Sequence, residues 1–457
     1  MTSRLVDAVA PPTYTDDAPT HSAPPRLSPS SREQAAAPWT PAQRVTFRFV
    51  CAYLLLYNLP FPLGSIPYVN VAARWYDRLW HAVVPWIGAH VLNLAHPITV
   101  LPNGSGDTTF NYVQDLTRLV LAVLATMVWT ATDRRRAEYR TLHHWLRVYV
   151  RYVLAFTMLS YGAFKVIKSQ FPGPGLERLL EPYGEFSPMG LLWTFMGYST
   201  AYNVFTGLGE MIGGALLFFR RTTTLGSLLL ITVLANVVIL NFGYDVPVKL
   251  YSSTLLLMAI FLIVPDARRL WAVLVANRAA APANIGMPNI GKRLDIGRRV
   301  LKVGLIGLGV YAPLKMSYDG HHLYGDAAPK PPLFGIYDVE SFAKNGVTLP
   351  PLLTDTTRWR RVVVGRPGAL SVKLMNDSTR RYLAKVDTAA RQVTLWTRTD
   401  STIRFPFTFE RRGQDGLVLN GVMMGDSLQL RLRRVDHTKF VLMSRGYRWI
   451  NENPFNR

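Results

Sequence analysis

Thr206-Gly-Leu-Gly-Glu210-Met-Ile-Gly213-Gly214-Ala-Leu-Leu-Phe-Phe219 is an apolar stretch with one carboxylate near its middle and four glycines around it. It lies within a predicted membrane span over about 201–219. An ionisable group inside hydrocarbon costs about 2.5–3.5 kcal/mol or more unless it is paired or wet, so Glu210 demands a partner, a proton or a cavity. Small residues let neighbouring helices come close enough to supply one. The segment before it holds Tyr161-Gly-Ala-Phe-Lys165, and the segments after it hold Asn236, Asn241 and Tyr244-Asp245-Val-Pro-Val-Lys249.

Working outward, apolar blocks separated by basic loops make this a multi-pass α-helical membrane bundle. Residues 1–44 carry eight prolines and no apolar run, and read as a disordered cytoplasmic tail. The predicted spans are 45–64, 115–131, 148–167, 201–219, 225–241, 248–264 and 300–316, about seven in all. Arg48, one turn inside the first, is expected to snorkel to the interface. Asp115 and Arg118 are spaced to pair at the mouth of the second. Between the first two spans, residues 65–114 include an amphipathic piece over 81–94, with Trp75, Trp80 and Trp86 as interface anchors. Residues 176–198 also read as interfacial, with Ser187-Pro188 as a helix start.

The chain carries a net charge of +22, and its distribution argues for membrane orientation rather than a nucleic-acid partner. Loops 133–147, 220–224 and 265–299 hold 14 Lys and Arg, whereas loops 64–114, 168–199 and 242–247 hold 4. The alternation places the N-terminus in the cytoplasm and the C-terminal domain outside the inner membrane. After Pro329-Lys-Pro-Pro the texture changes. A short helix is expected at 338–344. Alternating β-branched and aromatic runs then follow at 359–364, 369–375, 381–387, 391–398, 403–410, 416–423, 427–435 and 438–444. These predict a C-terminal antiparallel β-meander over 330–457, closed as a small barrel or a sandwich.

Helical spacing puts Asn203, Thr206, Glu210 and Gly213 on one face of their helix, and Thr157, Tyr161 and Lys165 on one face of another. Two readings stand side by side. In one, Glu210 is the floor of an outward-opening polar pocket with Lys165 and Asp245 near its rim. The candidate residues of that pocket are Tyr161, Lys165, Asn203, Glu210, Asn236, Asn241, Tyr244, Asp245 and Lys249. In the other, Glu210 and Lys165 form a buried pair that joins helices. The paired histidines His143/His144 and His321/His322 lack the i,i+4 spacing of a helical metal site, and no histidine falls inside a predicted span to ligate a haem. The one cysteine, Cys51, allows neither an intrachain disulfide nor a Cys-x-x-Cys redox pair. Trp449, with Arg445 and Arg448, is expected to coat the floor of the β-domain.

Tyr161-Gly-Ala-Phe-Lys165, then Gly209-Glu210-x-x-Gly213-Gly214, then Arg221-Thr-Thr-Thr-Leu-Gly226 resembles the DoxX-type membrane fold. The segment Asn241-Phe-Gly-Tyr-Asp-Val-Pro-Val-Lys249 is also similar to what larger bacterial DoxX-like proteins carry. The resemblance covers about 148–264 and implies a four-helix core in a bacterial inner-membrane protein. Two spans with an outer loop (45–147) would precede that core, and a basic loop with the last span (265–316) would follow it. Some members act beside thiosulfate:quinone oxidoreductases and others in thiol maturation; this chain lacks the cysteines of the second branch. The expectations are therefore a quinone- or lipid-binding, redox-associated subunit in the bilayer, with a membrane or periplasmic protein partner. The alternatives are a solute or lipid transporter and a non-catalytic scaffold that presents the β-domain. No nucleophile triad, phosphate loop or metal cluster marks a stand-alone enzyme.

Overall fold

The computed structural model describes residues 38–61, 70–100, 104–282 and 292–456. Most of the expected tail lies outside these residues. Its last part does not stay irregular: Thr40 caps a helix, α1 (Pro41–Asn58), through a capping box with Gln43. Then come α2 (Asn70–His90), α3 (Thr109–Thr132), α4 (Arg140–Val166), α5 (Pro188–Tyr198), α6 (Thr200–Leu217), α7 (Thr223–Gly243), α8 (Lys249–Ile263), α9 (Ala267–Leu274) and α10 (Lys292–Leu323). Ser187 caps α5 as its sequence suggests, accepting from the Gly190 amide at 3.1 Å.

Among the described residues, four helical segments are long and apolar enough to cross a membrane: Thr109–Thr132, Arg220–Gly243, Lys249–Leu274 and Asp295–Leu323. The expectation of seven such spans is met at only four. The other three predicted spans are helical, as α1, α4 and α6, but they fall short for identifiable reasons. Helix α1 carries Gln43, Arg44 and Arg48, α6 carries Asn203 and Glu210, and α4 carries Arg147, Arg151 and Lys165, so each is less apolar than the four. These are also the helices with a packed interior. A shared apolar core joins Phe47 and Leu54 of α1, Leu154 and Met158 of α4, Leu217 of α6, Leu230 and Leu234 of α7 and Met258 of α8. The apolar flanks of α3 and α10 are by contrast largely uncovered. Lipid tails are as apolar as leucine, so α3 and α10 can leave their apolar flanks uncovered in a bilayer while polar side chains gather within the bundle.

Arg48 does not snorkel. It is buried, donating to the Tyr139 hydroxyl at 2.7 and 3.0 Å, to Thr130 Oγ1 at 2.9 Å and to the Asp133 carbonyl at 2.8 Å. Tyr139 in turn donates to Asp133 at 2.8 Å, so a satisfied network ties α1 to the α3–α4 connection. His143 and His144 sit inside α4 rather than in a loop.

The C-terminal region is an eight-stranded antiparallel barrel. Its strands are β1 (Gly335–Lys344), β3 (Trp359–Arg366), β4 (Ala369–Leu374), β5 (Thr379–Asp387), β6 (Gln392–Trp396), β7 (Phe405–Arg412), β8 (Gly416–Met423) and β9 (Asp426–Val435). The two-residue β2 (Val347–Thr348) only extends the edge of β1. Strand order follows the chain, and β1 pairs with β9 to close the ring, from Ile336 opposite Val435 to Lys344 opposite Leu428. Closure removes the exposed edges that a sandwich would keep. The expected helix at 338–344 is therefore strand β1: its inward positions Tyr337, Val339 and Phe342 join the barrel core, a β-bulge near Glu340 shifting the alternation. The strand expected at 438–444 is a short turn followed by α11 (Val441–Ser444), because β9 already completes the ring. Phe342, Trp359, Phe407, Leu395 and Leu430 fill the interior, as expected for a ring of eight strands. Trp449 stands off the barrel, 88% exposed, and does not coat its floor.

Candidate functional site

The site is built on the crossing of α4 and α6. At Gly162 an added Cβ would lie 2.6 Å from the Gly207 carbonyl, and at Gly207 one would lie 2.8 Å from the Gly162 carbonyl. Farther along, a Cβ at Gly214 would come within 2.9 Å of the Ala155 carbonyl. Glycines therefore let the two backbones touch along the whole crossing, the arrangement small residues permit inside membranes. That contact brings Lys165 against Glu210: Nζ donates to Oε1 in a buried ion pair.

Glu210 is 2% exposed, and its second oxygen, Oε2, has no hydrogen-bond partner. Two turns toward the start of α6, the fully buried Asn203 donates to the Phe171 carbonyl at 3.2 Å while its own Oδ1 is left without a partner. The α6 face thus carries two unsatisfied acceptors in line, each of which costs free energy unless something donates to it. Thr206, between them, turns its hydroxyl back to the Asn203 carbonyl at 3.0 Å. Tyr161 lies one turn before Lys165, its ring 6.2 Å from that of Tyr251 on α8.

The remaining candidates fall elsewhere. Asn241 is buried between α7 and α8, donating to Ser252 Oγ at 3.0 Å. Lys249 pairs with Asp245 at 2.9 Å and reaches Asp107 at 3.9 Å. Asp245 is exposed, in the left-handed region at φ 51°, a conformation that aspartate tolerates better than most residues. Tyr244 packs beside Phe171, Leu192 and Val246 below α5. Asn236 is exposed on α7. The nine candidates therefore form an α4–α6 centre (Tyr161, Lys165, Asn203, Glu210), a set at the α7–α8 turn (Asn241, Tyr244, Asp245, Lys249), and Asn236 apart from both.

Asp107 escaped the sequence reading. It accepts from the amides of Lys249 at 2.7 Å and Leu250 at 3.0 Å, capping α8 from a loop some 140 residues earlier in the chain. Its signal, an acidic residue after Pro102-Asn-Gly-Ser-Gly, is no different from that of any loop aspartate. Asp115 and Arg118 do pair, at 2.7 Å, as their spacing indicates.

The loop after α4 carries the bundle onto the barrel. Leu176 packs with Ile336 and Val363 of the barrel wall, Glu177 accepts from Ser371, and Lys168 pairs with Asp326 at 2.8 Å. Lys168 ties the loop to the segment between α10 and β1, and Leu176 makes the contact with the barrel wall, so one loop joins the centre to the barrel.

Compared with known proteins, the chain is similar to YwoB, an uncharacterised protein of Bacillus subtilis (strain 168). The two are 31% identical over 132 residues, which cover 27% of this chain and 78% of YwoB. No family model and no solved structure matches.

Proposed function

Since the chain belongs to the same family as YwoB, we propose that it is an integral protein of a bacterial inner membrane whose α4–α6 centre binds the polar head of a hydrogen-bond-donating lipid or quinol. The observation that carries this reading is the half-used carboxylate: Lys165 takes one oxygen of Glu210, and the other is buried without a donor. A hydroxyl suits that vacancy better than a carbonyl, because both free acceptors, Glu210 Oε2 and Asn203 Oδ1, need donors. A quinol supplies two hydroxyls, and Glu210 could then accept a proton while Lys165 holds the carboxylate in place. Electron transfer would fall to a membrane or periplasmic partner, which agrees with the DoxX-like resemblance.

In this reading α1, α4 and α6 cross the membrane beside the four apolar helices, the N-terminus is cytoplasmic and the barrel is extracytoplasmic. The alternation of basic loops supports that orientation. The seam at Leu176 and Glu177 favours a second, compatible role in which the bundle presents the barrel to a partner at the membrane surface. The test is mass spectrometry of lipid extracted from purified protein. Enrichment of a quinone or hydroxyl-bearing lipid over the bulk membrane is expected, lost in the charge-balanced double variant Glu210→Gln with Lys165→Met. A lipid profile identical to the bulk membrane for both proteins would end the binding reading and leave the scaffold role.

A further inference from the structure

A second centre lies away from Glu210 and does not depend on it. A cleft of about 710 Å3 opens where α4 begins, α6 turns into α7 and α8 runs into α9. Five arginines line it: Arg147 and Arg151 from α4, Arg220 and Arg221 from the turn before α7, and Arg269 from α9. Asp266 is the one carboxylate among the described lining residues. It is already engaged by Arg269 at 2.6 Å, by Thr224 at 2.8 Å and by Arg147 at 3.8 Å.

Arg151 is the decisive residue. It is only 8% exposed, it lines the cleft, and its Nε has no hydrogen-bond partner. Its guanidinium sits 5.5 Å from the centre of the Tyr152 ring and donates a hydrogen bond to that side chain, and among the described residues no carboxylate pairs with it. Arg147 donates through Nη2 to the Leu262 carbonyl at 2.9 Å, yet its Nε is also unsatisfied. Basic loops explain exposed arginines. They do not explain a guanidinium held inside the protein with its Nε unused and no carboxylate paired to it among the described residues, because burying a charge is costly unless an anion meets it.

Leu262, Leu270, Val273 and Leu274 add apolar lining. Helix α9 turns Trp271 outward, well exposed and outside the cleft lining, as a short helix lying at a membrane interface would. A lining that combines guanidinium donors with apolar side chains matches a phosphate group with a hydrocarbon attachment, since the arginine fork fits phosphate oxygens two at a time. Basic pockets between membrane helices bind lipid phosphates in this way. We propose that this cleft binds a phosphate-bearing anion through Arg147, Arg151 and Arg221, its source being the head group of an anionic phospholipid or a soluble phosphate compound.

The experiment uses the purified full chain in nanodiscs of phosphatidylcholine, with or without phosphatidylglycerol, and phosphatidylcholine discs titrated with inorganic phosphate. Melting temperature and lipid retained in native mass spectrometry are read for the unmodified protein, Arg151→Gln, Arg221→Gln and Arg135→Gln. Arg135 is exposed in the preceding basic loop, outside the cleft, so its variant changes the charge equally. Retention of phosphatidylglycerol at least tenfold lower in Arg151→Gln and Arg221→Gln than in Arg135→Gln supports the lipid source. A melting increase with inorganic phosphate, lost in the same two variants, supports the soluble source. If Arg151→Gln fails to insert, the exposed Arg221 and the conservative Arg151→Lys decide. No response in either arm, or equal loss in Arg135→Gln, overturns the proposal.

Discussion

Lys165 on α4 and Glu210 on α6 form a buried ion pair exactly where Gly162 and Gly207 let their helices touch. Charge and close approach are therefore one feature. Without the glycines the lysine could not reach the carboxylate, and without the pair two charges would be left in a water-poor interior. The pair also fixes the register of the two helices that pack most extensively in the bundle.

Gly162→Ala should break that register. Its Cβ would lie 2.6 Å from a backbone carbonyl and 2.9 Å from the Met211 amide nitrogen, atoms that cannot swing aside. Overpacking of this kind costs about 1–3 kcal/mol. Gly184→Ala, where nothing lies within 4 Å, is the control. Thermal melting in detergent should fall for the first and hold for the second; equal melting of both would refute close packing at this crossing.

Glu210→Gln should cost about 3–5 kcal/mol, because it leaves Lys165 charged and unpaired in the interior. Adding Lys165→Met removes the orphaned charge and should recover much of the loss. A double-mutant cycle on detergent stability measures this directly. A single variant as stable as the parent would show the pair to be wet rather than buried.

How far the sequence reached can be seen residue by residue. Seven of the eight predicted strands lie where the period-two alternation put them, since each buries one face against the barrel core. The eighth partner was β1, where Asp338, Glu340, Ser341 and Lys344 dilute the alternation enough to read as a helix. Helix positions in the bundle were equally legible, because apolar length is local information. What was not legible was which polar residues meet. The Lys165–Glu210 pair was one of the two readings the sequence left open, whereas Asp107 and Lys249 stand 142 residues apart and only the folded path brings them together. Arg48 was misjudged for the same reason: a basic residue near a span end looks alike whether it reaches water or is enclosed by neighbouring helices.

The barrel should fold as a separate unit. Residues 330–456 hold their own core and a closed hydrogen-bonded ring, so the fragment should give a β-rich circular dichroism spectrum and melt cooperatively. Leu430→Ala, at a fully buried position, should lower its stability by about 2–5 kcal/mol. A helical or non-cooperative fragment would contradict closure through β1 and β9.

Acid should weaken that fragment through Asp377. Hydrogen bonding and attraction from Lys373, with Arg360 beside it, hold its carboxyl below the ordinary aspartate range. A depressed folded value means that the contribution is present above the unfolded value, about 3.9, and is lost as pH falls through the lower folded one. The fragment's melting temperature should therefore decline below about pH 4, and less steeply in Asp377→Asn. Identical acid profiles would show the pair to be thermodynamically silent, as exposed pairs often are.

Whether α4 crosses the membrane separates two topologies that the apolar helices alone leave equal. Its 27 residues give a length of about 40 Å, more than the roughly 30 Å of hydrocarbon, yet its arginines and lysine keep it off the apolar scale. If α1, α4 and α6 cross with the four apolar helices, single cysteines at Arg140 and Ala281 face one side, and those at Gly184 and Ser401 face the other. If only the four apolar helices cross, Arg140, Gly184 and Ala281 share a side and Ser401 alone is opposite. The native Cys51 is buried and can be replaced by alanine for the background. Because α4 and α6 pack in the same core as α7 and α8, the first pattern is expected from labelling intact cells with a membrane-impermeant maleimide. Labelling of Arg140→Cys and Gly184→Cys from the same side would remove α4 from the membrane, and with it the argument that Lys165 and Glu210 meet inside the bilayer.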